Sequence, residues 1–152
     1  MATVSGVELR VERRADRRAM FTRSLLDAPP RLVEVQVLSP VAVLPERQGR
    51  GIGSALIRRG LETMSERSVP MVWLEGAPGY YSRLGFLAGA DQGFRKPSLR
   101  IPDAAFQVTL LPAYEPWMSG TLVYPETFWQ HDAVGLRDPD LLSPRADVSP
   151  AG

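Results

Sequence analysis

The chain has 152 residues, 44% of them hydrophobic and 23% charged, enough for one domain with a real core and too few for two. The absence of cysteine excludes disulfide scaffolds, thiolate metal sites and cysteine nucleophiles, and a single histidine, His131, excludes multi-histidine metal sites and leaves little room for a Ser-His-Asp triad. A net charge of +1 gives no support to bulk nucleic-acid binding, and no stretch reaches the roughly 18 to 20 apolar residues of a membrane span.

In chain order, Val7, Leu9 and Val11 alternate with Glu8, Arg10 and Glu12, the period of a half-buried strand. Residues 15–26 are Arg-rich and predict a short helix stopped by Pro29 and Pro30. Glu8, Glu12, Asp16 and Asp27 argue against an organellar transit peptide, a class poor in acid. Residues 32–44 carry the strongest strand signal, interrupted at Ser39 and Pro40. Proline cannot donate to a ladder, so a bulge is expected there. Val41, Ala42 and Val43 then read as a strand end covered on both faces.

After a loop over 45–53, a helix is expected over 54–67. Ile52, Leu56, Ile57, Leu61 and Met64 share its inner face, while Arg58, Arg59, Glu62 and Glu66 point outward. Strands are expected at 71–74, 106–111 and 120–124, with another starting at 86–88. A short helix over 78–84 ends at Gly85, a good left-handed cap. Apolar residues thin out from Gln130. The expected division is an atypical strand and helix segment over 1–36, a core over 37–129 and a mobile tail over 130–152.

The run Gln48-Gly49-Arg50-Gly51-Ile52-Gly53 holds the chemistry. Glycines let backbone approach a ligand, free amides and the helix dipole favour an anion, and Arg50 adds charge-assisted bonds. It is not a nucleotide P-loop, because no lysine follows Gly53. Nor is it a dinucleotide fingerprint, because Ser54 stands at the third glycine position. Taken alone, the triplet fits a packing turn better than a phosphate site.

Its flanks alter that balance. Residues 38–56 resemble motif A of the GNAT family of N-acetyltransferases, an apolar strand and a proline followed by Q/R-x-x-G-x-G, here Gln48, Gly51 and Gly53. Tyr80-Tyr81-Ser82-Arg83-Leu84-Gly85-Phe86 resembles the family's motif B at the right spacing, and the text to Phe128 is similar to the YhbS-like branch. The resemblance implies an α/β fold of the acyl-CoA N-acyltransferase type, with a central mixed sheet flanked by helices.

It also implies that the co-substrate is acetyl-CoA, with no metal. The amides of Gln48, Gly49, Arg50, Gly51, Ile52, Gly53 and Ser54 would hold its pyrophosphate. Val41, Ala42 and Val43 would pair with the pantetheine arm, one amide facing the thioester oxygen. A primary amine, on a small molecule or a protein, would attack directly, and Tyr81 would protonate the departing thiolate. Tyr80 reads as core or rim. No single base is named: Glu34, Glu46 and Glu75 are candidates by their nearness to strand ends, and a water relay is the alternative that the resemblance implies. His131 reads as a bystander, and Trp73, Trp117 and Trp129 read as core or cleft walls. A composition with Lys96 as the only lysine fits a GC-rich bacterial genome, and a cytoplasmic enzyme without nucleic-acid or membrane partners is expected.

The N-terminal third departs from the pattern. The elements that roof the acceptor site in the family are expected to be incomplete, with no hairpin before motif A. Three outcomes are open: a partner chain, such as a second copy in a homodimer, covers the exposed edge, the protein is marginally stable, or the sequence is a shortened or decayed version of an active enzyme. Two other roles stand beside the enzyme: a weak or inactive CoA-binding module, and a purely structural domain.

Overall fold

Period-2 alternation governs the N-terminal part of the chain much further than the sequence alone indicates. The computed structural model describes residues 2–4, 7–14, 17–43 and 52–135, with side chains at 20–39 and 53–135. Strands β1 (Ala2–Val4), β2 (Val7–Arg14), β3 (Arg17–Ala28) and β4 (Arg31–Val43) form an antiparallel meander.

The helix expected over 15–26 is therefore corrected to a strand. Phe21 is buried on one face of β3, while Thr22, Ser24, Leu26 and Ala28 are buried on the other. Ladders to β2 and β4 on its two edges satisfy its backbone, and that pairing overrides the local helix propensity of an Arg-rich segment. The hairpin thought missing is present as well. Ala28 pairs with Arg31 across Pro29 and Pro30, which occupy turn positions where no ladder N–H is required.

The interruption expected at Pro40 is observed. Arg18 pairs with Ala42 and Met20 with Ser39, so Pro40 and Val41 together stand opposite Ala19. Helix α1 (Ile52–Glu66) follows, then β5 (Met71–Glu75), the short helix α2 (Pro78–Tyr81) and a 3-10 turn that ends at Gly85 with φ +91°. Strands β6 (Leu87–Ala88), β7 (Phe106–Leu110) and β8 (Thr121–Val123) and helix α3 (Glu126–Gln130) complete the described chain.

The sheet runs β1-β2-β3-β4-β5-β7-β6, and β8 pairs with the far end of β3. It is mixed, because β4 and β5 are parallel and the other ladders are antiparallel. Alternation along β5 divides the core in two. Val72 and Leu74 pack with Leu56, Ile57 and Met64 of α1 and with Phe21, Leu38 and Phe86. Met71 and Trp73 face the opposite side, with Val33, Val35, Val37, Phe106 and Tyr124. Trp73 is the largest fully buried side chain, stacked on Phe106 at 4.9 Å and meeting Phe94 edge-on at 4.8 Å.

Packing continues into the segment read as a tail. Val134 is buried in the second cluster, and residues 136–152 lie outside the described residues. Among the described residues no helix is long and apolar enough to cross a membrane.

Gly120 sets how closely β8 docks on β3. A Cβ there would lie 2.0 Å from the Asp27 carbonyl oxygen and 3.1 Å from the Ala28 Cα, both backbone atoms that cannot rotate away. Gly120→Ala is expected to lower stability by about 3 kcal/mol, measured as a shift of the urea midpoint at unchanged slope.

Candidate active site

Parallel pairing between β4 and β5 is confined to Gln36 with Val72 and Val37 with Trp73. Beyond that point β4 runs on to Val43 and β5 to Glu75 with no further rung between them. A cleft of about 200 Å³ opens where they part. Val37, Leu38 and Ser39 form its β4 wall and Glu75 its β5 wall. Tyr124, Phe128, Asp132, Ala133 and Gly135 close the remaining side.

Val41, Ala42 and Val43 belong to this diverging end of β4, with Ala42 and Val43 paired to β3 on the opposite edge. Gln48, Gly49, Arg50 and Gly51 lie outside the described residues, as does Glu46. Ile52, Gly53 and Ser54 form the first turn of α1, which starts two residues before its expected position. Ser54 Oγ and the Tyr80 hydroxyl share a hydrogen bond of 3.0 Å, so the start of α1 is tied to α2. Tyr80 is an exposed rim residue, as the sequence indicates.

Tyr81 is partly buried beside the end of β5, on the face covered by α1. Its ring meets Tyr80 edge-on at 4.8 Å and Phe86 at 6.0 Å. Gly76 makes room for it, since a Cβ there would sit 2.5 Å from the Tyr81 ring. Burial and the neighbouring Tyr80 raise the Tyr81 pKa above the usual phenol value, so the hydroxyl keeps its proton at neutral pH.

Glu75 lies on the other face. It follows Met71 and Trp73 in the strand alternation, and its Oε2 accepts a hydrogen bond of 2.5 Å from the Tyr124 hydroxyl and one of 3.2 Å from the Gly135 N–H. The other described glutamate candidate, Glu34, is exposed and paired with Arg23, away from the cleft. His131 is exposed at the end of α3. Trp73 is core, Trp117 donates to Glu115 and stacks with Arg31, and Trp129 is half exposed. The strand over 120–124 and the resemblance to Phe128 were legible, but nothing in the sequence marked Tyr124, Phe128 or the 132–135 segment as site residues. Their place in the cleft comes from the return of β8 and α3 onto the sheet.

Tyr124 is only 4% exposed, and burial followed by the Glu75 charge pushes its pKa far above the ordinary phenol range. A raised folded-state pKa leaves stability intact below the unfolded value near 10 and removes it as pH climbs toward the folded value. Thermal melts are therefore expected to fall between about pH 9.5 and 11.5. The fall should be smaller in Tyr124→Phe, and an identical pH dependence in the two proteins would contradict this assignment.

Residues 19–88 match the family model described as an acetyltransferase (GNAT) domain. The uncharacterized N-acetyltransferase YjhQ of Escherichia coli (strain K12) is 36% identical over 89 residues, 58% of this chain and 49% of that protein. Among solved structures, the GNAT family N-acetyltransferase YhbS from Escherichia coli in complex with CoA is 26% identical with a TM-score of 0.66, covering 74% of this chain and 62% of that one. A GNAT family acetyltransferase from Brucella melitensis in complex with acetyl-CoA is 30% identical with a TM-score of 0.55, over 74% of this chain and 60% of that one. The chain thus spans about half the length of YjhQ and about three fifths of the two solved structures. Motif, sheet order and these likenesses agree, and together they support a GNAT-type acetyltransferase domain in this chain.

Proposed function

We propose that the chain is an acetyl-CoA-dependent N-acetyltransferase that acts on a primary amine by direct attack. The observation that carries this is the parting of β4 and β5 beyond the Val37–Trp73 rung, with Glu75 lining the cleft that opens there and Tyr81 packed on the opposite face of the sheet. A thioester arm needs an unpaired strand edge to lie against, and β4 beyond Val37 offers one toward β5. The backbone at Val41, Ala42 and Val43 would pair with that arm. The Gln48 to Gly53 loop and Ser54 at the first turn of α1 would hold the pyrophosphate.

The amine enters from the Glu75 face. The cleft of about 200 Å³, with apolar Val37, Leu38, Phe128 and Ala133 beside Glu75, suits a small amine or the tip of an aminoalkyl side chain. Its nitrogen attacks the thioester carbonyl carbon, and its proton passes to Glu75. A β4 amide donates to the oxyanion. Collapse breaks the carbon–sulfur bond, and the Tyr81 hydroxyl gives its proton to the leaving thiolate. The chain needs no nucleophile of its own, which suits a protein without cysteine. The likeness to a CoA-bound and an acetyl-CoA-bound relative supports the same use of the site.

CoA at about 100 times its dissociation constant is expected to stabilise the fold by about 2.7 kcal/mol. Tyr81→Phe should lower kcat by about 100-fold while leaving CoA affinity unchanged, because it removes a donor used in the transition state. CoA binding without transfer to any amine would leave a binding module, and a cooperatively folded protein with no CoA response would refute the proposal.

A further inference from the structure

The C-terminal segment after α3 is fastened at several points before it reaches the cleft. The Ala133 N–H donates to the Phe128 carbonyl at 2.7 Å, and Val134 is 1% exposed within the core. The Arg100 guanidinium donates to Asp132 Oδ1 from both terminal nitrogens at 3.0 Å and also to the Val134 carbonyl oxygen. Gly135 then turns with φ +80°, a left-handed conformation that glycine adopts without strain, and aims its N–H at Glu75 Oε2. The Tyr124 hydroxyl reaches the same oxygen from the end of β8, its ring held at 4.9 Å against Phe128.

Glu75 stands at the last position of β5, where the ladder to β4 has already ended. A glutamate at a strand end has several rotamers, and proton transfer requires one of them. Two donors on one oxygen, from segments 49 and 60 residues away in sequence, select that rotamer.

We infer that Tyr124 and the Gly135 amide are positioning groups that hold the Glu75 carboxylate against the acceptor cleft. The inference rests on the acetyltransferase proposal, with Glu75 as the proton acceptor. The strap at 132–135 thereby becomes a wall of the acceptor site as well as packing for the core. Asp132 also lines the cleft, with its carboxylate held by the Arg100 guanidinium.

The test is a double-mutant cycle read in steady-state kinetics with acetyl-CoA and a small primary amine, together with CoA affinity and a thermal melt for each protein. Tyr124→Phe keeps the ring and removes the hydroxyl. It is expected to lower kcat about ten- to hundredfold with CoA affinity unchanged. Glu75→Gln should lower kcat by about 100-fold or more. In the Glu75→Gln background, Tyr124→Phe should cost almost nothing further, because it acts through the carboxylate. Gly135→Ala, whose Cβ would lie 2.9 Å from Ile101 Cγ1 in a strained conformation, is a second variant that moves the amide and should also lower kcat.

Full kcat in a folded Tyr124→Phe protein, or independent multiplication of the two effects, would overturn the inference while leaving the acetyltransferase proposal standing. Absence of transfer by the unsubstituted chain would overturn both.

Discussion

Two neighbouring parallel strands that stop pairing create an unusual liability, a set of backbone donors and acceptors facing a gap inside a sheet. Buried backbone groups need partners, so such a gap persists only where water or a ligand supplies them. Here β4 is held on its other edge by an extended ladder to β3, and β5 by a full ladder to β7. Each strand is fixed from outside, and the parting between them is therefore a property of the whole sheet. The bulge at Pro40 adds to it, since an extra residue on β4 bends the strand just past the last rung.

That single constraint organises the chemistry. A sheet ordinarily separates its two faces, and side chains that alternate along one strand cannot meet the same small ligand. Leu74 and Tyr81 lie on the α1 face, while Trp73 and Glu75 lie on the other. A ligand threaded through the gap would be reached from both, by a protonated phenol on one side and a carboxylate on the other. The environments suit those roles. Partial burial against Phe86 and Tyr80 keeps the Tyr81 proton in place, and Glu75 accepts donors that hold its carboxylate.

The N-terminal region supplies the outer support in a compact way. A two-proline turn joins β3 to β4, and β3 carries β2 along one part of an edge and β8 along another. One strand thus joins the N-terminal meander, the motif strand and the C-terminal return. Through β8 it also sets where Tyr124 and the strap at 132–135 fall, which links the first third of the chain to the cleft wall around Glu75.

Much of the α1 face of the sheet was legible in the residues themselves. The inner face of α1, the stop at Gly85, the irregularity at Pro40 and the position of Tyr81 beside β5 depend on local periodicity, on glycine and proline stereochemistry and on a contiguous motif, all of which a linear text preserves. The strand at 17–28 was not legible. Its Arg-rich composition favours helix locally, and only the ladders to β2 and β4 decide otherwise. That Glu75 lines the cleft while Glu34 pairs with Arg23, and that Tyr124 and Gly135 reach Glu75, were likewise decided by tertiary structure, because hydrogen bonds between groups 49 and 60 residues apart leave no trace in local spacing. The sequence by itself determined α1, the Gly85 stop and most strands after it, because local periodicity and glycine and proline stereochemistry decide those; packing of β8 and α3 onto the sheet decided which side chains meet at Glu75, because contacts between distant segments exist only in the folded chain.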